Sequence, residues 1–160
     1  MGLCEVVDRV RILVNRDLQG AVGLTLAENL VLCQVAMTPQ RRLRMAEIAG
    51  TLGVAKSAVT KTVDHLQERG LLARERDPRD RRTVYATLTC EGAKVFAAAQ
   101  PAFGDAVQRY FAGRLDGDTL HQLRDLPGTV LPGTVEPPGS IAGSPPAGSR
   151  RSGSLPRNPG

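Results

Sequence analysis

The sequence predicts a mostly α fold with a small β-hairpin, and three observations lead there. Apolar residues recur at helical spacing through most of the first 126 positions. Thr83 to Leu88 alternates instead, with Val84, Ala86 and Leu88 against Thr83, Tyr85 and Thr87, as a half-buried strand does. Aromatic residues make up 3% of the 160, with no Trp, against 41% hydrophobic content, so Ala, Leu and Val must fill the interior. Such residues favour helix packing over a sandwich or barrel, and a chain of this length buries one core.

In chain order, Leu3, Val6, Val7, Val10, Leu13, Val14 and Leu18 give an amphipathic first helix to Gln19, with Arg9, Arg11 and Arg16 between them. Gly20 and Gly23 interrupt it. Thr25-Leu26-Ala27-Glu28 has the spacing of a capping box, whose hydroxyl and carboxylate satisfy two orphan amides. The second helix, Leu26 to Met37, is apolar on nearly every face and is expected to lie centrally until Pro39 stops it. Met45 to Leu52 forms a short third helix, and Lys56 to Arg69 a fourth that Gly70 ends. Leu71 to Arg76 and Thr83 to Leu88 read as two strands, joined by the turn residues Asp77-Pro78-Arg79-Asp80. Thr89 caps a fifth helix that runs to about Gly113 with a bend at Pro101. Asp118 to Leu126 forms a sixth that stops at Pro127. Residues 127–160 turn to Pro, Gly and Ser, a composition with too little apolar surface to offset its ordering entropy, so this tail is expected to be disordered.

Charge and chemistry narrow the function classes. The net charge is +5, carried mostly by Arg, whose planar, permanently charged fork suits phosphate and guanine contacts. No targeting segment is expected, because Asp8, Arg9 and Arg11 break the apolar run near the N-terminus, and no stretch approaches the roughly 20 apolar residues of a membrane helix. Cytoplasmic localisation with no membrane partner follows as the expectation. Three cysteines without CxxC or Cys/His ligand spacing predict neither a disulfide framework nor a metal site. His65 and His121 are isolated. No nucleophile elbow, phosphate loop or paired acid/base arrangement is present, so neither catalysis nor a cofactor is expected.

Ala49, Gly53 and Val59 have the separations of a helix-turn-helix. A small Ala lets two helices cross closely, Gly accepts the positive φ of the turn, and an apolar residue locks the second helix onto the first. Val59, Val63 and Leu66 give the fourth helix its buried stripe, which leaves Lys56, Ser57, Thr60 and Lys61 on the opposite face, in the half that enters a major groove. The hairpin that follows carries Arg74, Arg76, Arg79, Arg81 and Arg82. A helix-turn-helix followed directly by an Arg-rich hairpin is a winged helix-turn-helix, in which the helix reads base edges and the wing follows the backbone and an adjacent minor groove.

The run LRMAEIA from Leu43, then GVAKSAVTKTVDHLQERGLL, then DPRDRRTVYATLTCEG resembles the multiple antibiotic resistance regulator (MarR) family. That resemblance implies a ligand-responsive homodimer, usually a repressor, on a pseudo-palindromic operator in double-stranded DNA. It implies a domain over 1–126, with 24–88 as the DNA-binding region and 3–23 and 89–126 as dimerisation helices. It places Lys56, Ser57, Thr60 and Lys61 at the major groove and Arg79, Arg81 and Arg82 in the DNA-binding wing. Arg82 becomes the minor-groove arginine, with Asp64 orienting it. Ala55 departs from the family, which usually has Ser at that cap, and the sixth helix is shorter than usual.

Two other readings remain beside this one. Winged helices also serve as protein-interaction modules without operator binding. One branch of the family senses peroxides through a Cys in the first helix, where Cys4 lies; Cys33 falls in the apolar second helix and Cys90 just after the Thr89 cap. Tyr85, Phe96, Phe103, Tyr110 and Phe111 either pack in the core or line a cavity for a small-molecule effector.

Overall fold

The computed structural model describes residues 2–80 and 82–130, with backbone alone at residues 3 and 124–130. These fall into two units that divide after Gly117. The first begins with α1 (Leu3–Val22), which passes through Gly20 and ends at Gly23, whose φ is 67°. A glycine costs a helix only about 1 kcal/mol, less than the packing of Val14 and Leu18 returns, so the helix outlasts the Gln19 boundary read from sequence. α2 (Leu26–Ala36) opens on the expected capping box: the Thr25 hydroxyl accepts from the Glu28 amide at 3.1 Å, and the Glu28 carboxylate accepts from the Thr25 amide at 2.7 Å. It is central as its composition predicts, with Val31, Leu32 and Val35 buried.

The helix-turn-helix is α3 (Met45–Leu52) and α4 (Lys56–Glu68). Ala49 and Val59 are buried where the two meet. Gly53 has a φ of 63°, a left-handed conformation in which its amide reaches back to Gly50 O while the Val54 amide closes on Ala49 O at 3.1 Å. All three predicted positions therefore do what their residue types allow.

The wing is β2 (Leu72–Arg76) and β3 (Val84–Leu88), antiparallel, with Leu72 opposite Leu88 and Arg76 opposite Val84. The sheet has a third strand absent from the sequence reading. β1 (Arg42–Arg44) pairs with the other edge of β3, giving the order β1-β3-β2. Three residues are too few for alternation to register. The strand forms because β3 offers it an open edge, Arg42 to Arg44 pairing with Thr87 to Tyr85.

α5 (Cys90–Tyr110) starts at the Thr89 cap, passes through Pro101, and gives way to a 3-10 turn at Ala112–Arg114 rather than continuing to Gly113. Its first turn is set against the corner between α4 and β2. Thr89 donates its hydroxyl to Gly70 O and Leu71 O, and Gly92 lies so close that a Cβ there would stand 1.9 Å from Leu71 O. α1 and α5 pack along each other, and Leu18, Leu32, Ile48, Val63, Leu66, Leu72 and Ala99 complete one continuous core.

At the start of the second unit, α6 runs Gly117–Val130, its first residue the last of the first unit, and passes the Pro127 at which the sequence reading ended it. A proline withdraws one amide from the ladder without necessarily ending the helix, as α5 shows at Pro101. The expected disordered tail lies, from residue 131 onward, outside the described residues. No single helix among the described residues is long and apolar enough to cross a membrane.

Candidate nucleic-acid interface

α4 presents its faces as the period predicts. Val59, Val63 and Leu66 are buried, while Lys56, Ser57, Thr60 and Lys61 are all exposed. The helix starts at Ala55, which makes no side-chain cap. The Thr60 hydroxyl donates to Lys56 O one turn back at 3.0 Å, which leaves its oxygen lone pairs outward as acceptors.

The wing turn is built by two aspartates. Asp77 Oδ1 accepts from the amides of Arg79 at 2.8 Å and Asp80 at 3.2 Å; Asp80 accepts from the Arg82 amide at 3.0 Å and the Thr83 hydroxyl at 2.8 Å. These turns fix the backbone on both sides of Arg81 and so the direction in which Arg82 leaves the hairpin. The Arg79 amide, working against partial desolvation and helped by the Asp80 amide, Tyr85 and Arg42, holds the Asp77 carboxyl below the usual aspartate range. At the wing's base the Arg42 guanidinium stacks 4.3 Å above the Tyr85 ring, whose hydroxyl donates to Asp77.

Helix and wing meet at an open cleft of about 580 Å³. Lys56 and Thr60 line it from α4, Arg74, Arg76 and Arg82 from the wing, and Arg44 from the strand before α3. Five cations therefore surround one depression. Sequence reasoning brought Lys56, Thr60 and Arg82 to one surface, and the fold adds Arg44. Its only signal was membership of a strand too short to recognise. Ser57 and Lys61 stand on the same exposed side of α4 outside the lining, and Arg79 is exposed at the turn. Arg81 lies outside the described residues.

The expectation for Asp64 is corrected. Its ion pair, among the described residues, is with Arg74 at 2.6 Å, not with Arg82. Arg74 sits in mid-strand over α4, where its fork spans Asp64 Oδ1 and Thr60 O, the latter at 3.2 Å, while Arg82 belongs to the far turn. Asp64 thus fastens the wing's strand to the helix.

Cys4 is exposed in the first turn of α1. Cys33 is half-buried and its thiol pushed up by burial, and Cys90 is exposed at the start of α5. His65 is not isolated: it bonds Glu28 of α2. Among the described residues no group of three or more His, Cys, Asp or Glu could hold a metal ion. Phe96, Phe103 and Tyr110 pack partly buried against the core. Phe103 also borders a second cleft of about 760 Å³, mainly apolar, between α1, α2, α5 and the turn before α4, with Val10, Leu30 and Val54 in its walls and Arg11 at its margin.

Comparison with known proteins agrees with this architecture. Residues 22–83 match the model of the MarR family. Transcriptional regulator HosA of Escherichia coli O111:H- is 43% identical over 71 residues, 44% of this chain and 52% of that protein, and the chain spans about half the length of the curated relatives it matches. Among solved structures, Sco3205, a MarR family transcriptional regulator of Streptomyces coelicolor in complex with DNA, superposes with a TM-score of 0.74 at 29% identity, covering 84% of this chain and 87% of that one. CouR of Rhodococcus jostii RHA1, bound to p-coumaroyl-CoA, gives a TM-score of 0.71 at 31% identity over 84% and 92% of the two chains. With its helix-turn-helix, its Arg-lined wing and these matches, the chain belongs to the MarR family of transcription regulators.

Proposed function

We propose that this protein binds double-stranded DNA as a homodimer and represses transcription from a pseudo-palindromic operator, releasing it when a small molecule binds. The observation that carries the reading is the cleft in which Lys56 and Thr60 of α4 share one depression with Arg74, Arg76 and Arg82 of the wing. A recognition helix in the major groove and a wing over the neighbouring backbone need those cations on one side. Sco3205 is a relative of the same fold in complex with DNA. The exposed apolar residues Val6, Val7 and Ile12 leave apolar surface on α1 for a second copy. The apolar cleft, with Phe103 in its wall and Arg11 at its margin, suits an aromatic anion, and CouR carries p-coumaroyl-CoA.

A gel-shift titration with the DNA flanking the protein's own gene, repeated across salt concentrations, tests this. Affinity should fall steeply with salt, by about 0.9 in log–log slope for each phosphate neutralised. Arg82→Ala should weaken binding and flatten the slope by about one contact, and Lys61→Ala should relax sequence preference by about 1–3 kcal/mol. Binding that ignores salt, or survives Arg82→Ala unchanged, would count against the proposal.

A further inference from the structure

Glu28 is one of two buried polar side chains among the described residues, only 3% exposed, and its carboxylate is used twice. Oε2 accepts from the Thr25 amide and caps α2; Oε1 accepts from His65 and, at 3.3 Å, from Arg69, both at the C-terminal end of α4. A capping box needs only one acceptor at this position and works equally with Gln. A buried charge costs desolvation that an uncharged side chain avoids. The second oxygen, with its charge, therefore serves the contact with α4 rather than the cap. Burial raises the Glu28 carboxyl, but Thr25, His65 and Arg69 outweigh it and hold it below the usual range, so the group is ionised at neutral pH.

The geometry of α4 shows what that contact does. At about 100° per residue, Asp64 and His65 stand on either side of the direction in which Lys61 points. From Asp64 the helix is tied to the wing through Arg74, and from His65 and Arg69 to Glu28. The buried stripe of Val59, Val63 and Leu66 packs α4 against the core on the side away from Lys61, and the polar ties add directional contacts on the two flanks of its exposed side. Two polar ties on opposite flanks resist rolling in both senses.

We propose that Glu28 is a positioning residue for DNA reading: without touching DNA, it fixes the roll of α4 about its own axis and so the aim of Thr60 and Lys61. The inference rests on the DNA reading above. Base contacts tolerate only small errors of placement, whereas phosphate attraction tolerates large ones, so the loss should fall on discrimination rather than on binding as such.

The test takes the full chain and a duplex that the wild-type protein has selected from a random pool. Affinity for that duplex and for random-sequence duplex is measured by fluorescence anisotropy for wild type, for Glu28→Gln, and for the double variant His65→Gln/Arg69→Gln, which leaves the α2 cap intact. Thermal melting by circular dichroism establishes that each variant is folded, and the double variant carries the test where Glu28→Gln is not. The expected result is an affinity for the selected duplex about tenfold lower, with random-duplex affinity within about twofold, so that the ratio shrinks. A ratio equal to that of wild type in a folded variant, or equal losses on both duplexes, overturns the proposal. Should the wild-type protein select no sequence at all, the DNA reading itself falls and takes this inference with it, an outcome distinct from variants that match wild type.

Discussion

Asp77 shows how much of the interface depends on side chains that carry no positive charge. Its carboxylate gathers the Arg79 and Asp80 amides and the Tyr85 hydroxyl, and because its folded pKa is depressed, those bonds stabilise the turn at neutral pH and are lost as pH falls through the folded value. Asp77→Ala should therefore melt below wild type near pH 7, and the gap should narrow as pH falls below the ordinary aspartate value and through the depressed folded one; a gap independent of pH would show that the charge plays no part. The positions of Lys56, Ser57, Thr60 and Lys61 were legible in the sequence because a 3.6-residue period with an apolar stripe assigns the opposite face by arithmetic. The partners of Asp64 and His65 were not. They lie 10 and 37 residues away in sequence, and only the folded chain sets those distances.

At the scale of elements, α4 is an under-capped helix. Its N-cap, Ala55, has the extended conformation a cap requires, with φ of −62° and ψ of 142°, but offers no side-chain acceptor to the first-turn amides. Ala55→Ser should raise stability by about 1 kcal/mol, read as a rise in melting temperature of a few degrees, with no change in fold. An unchanged or lowered melting point would mean that those amides are already satisfied. The elements recovered from sequence were α1 apart from its end, α2 with its capping box, α3 with both its bounds, α4, the hairpin, and α5 from its Thr89 cap. Missed or misjudged were β1, which exists only because β3 has an edge to pair, and the end of α6, where a proline rule that forbids one hydrogen bond was taken to forbid a helix.

Considered as a whole molecule, the first unit has one core and yet leaves Val6 41%, Val7 45% and Ile12 66% exposed along α1. If α1 seats a second copy, sedimentation equilibrium should return twice the chain mass, and placing Asp at both Val6 and Val7 should return it to one; a wild-type monomer would remove the dimer from the proposal. The fold class followed from composition and period because both are properties of the whole chain. How the cations converge did not, because convergence needs the crossing of α3 and α4 and the placement of β1.

The contact of Gly92 with Leu71 has a mechanical meaning. With no room for even one carbon between them, the root of α5 and the root of the hairpin form a rigid joint, and a joint transmits torque. Were α5 to tilt, Leu71 at the start of the hairpin would have to shift with it, because no gap between the two can take up the displacement.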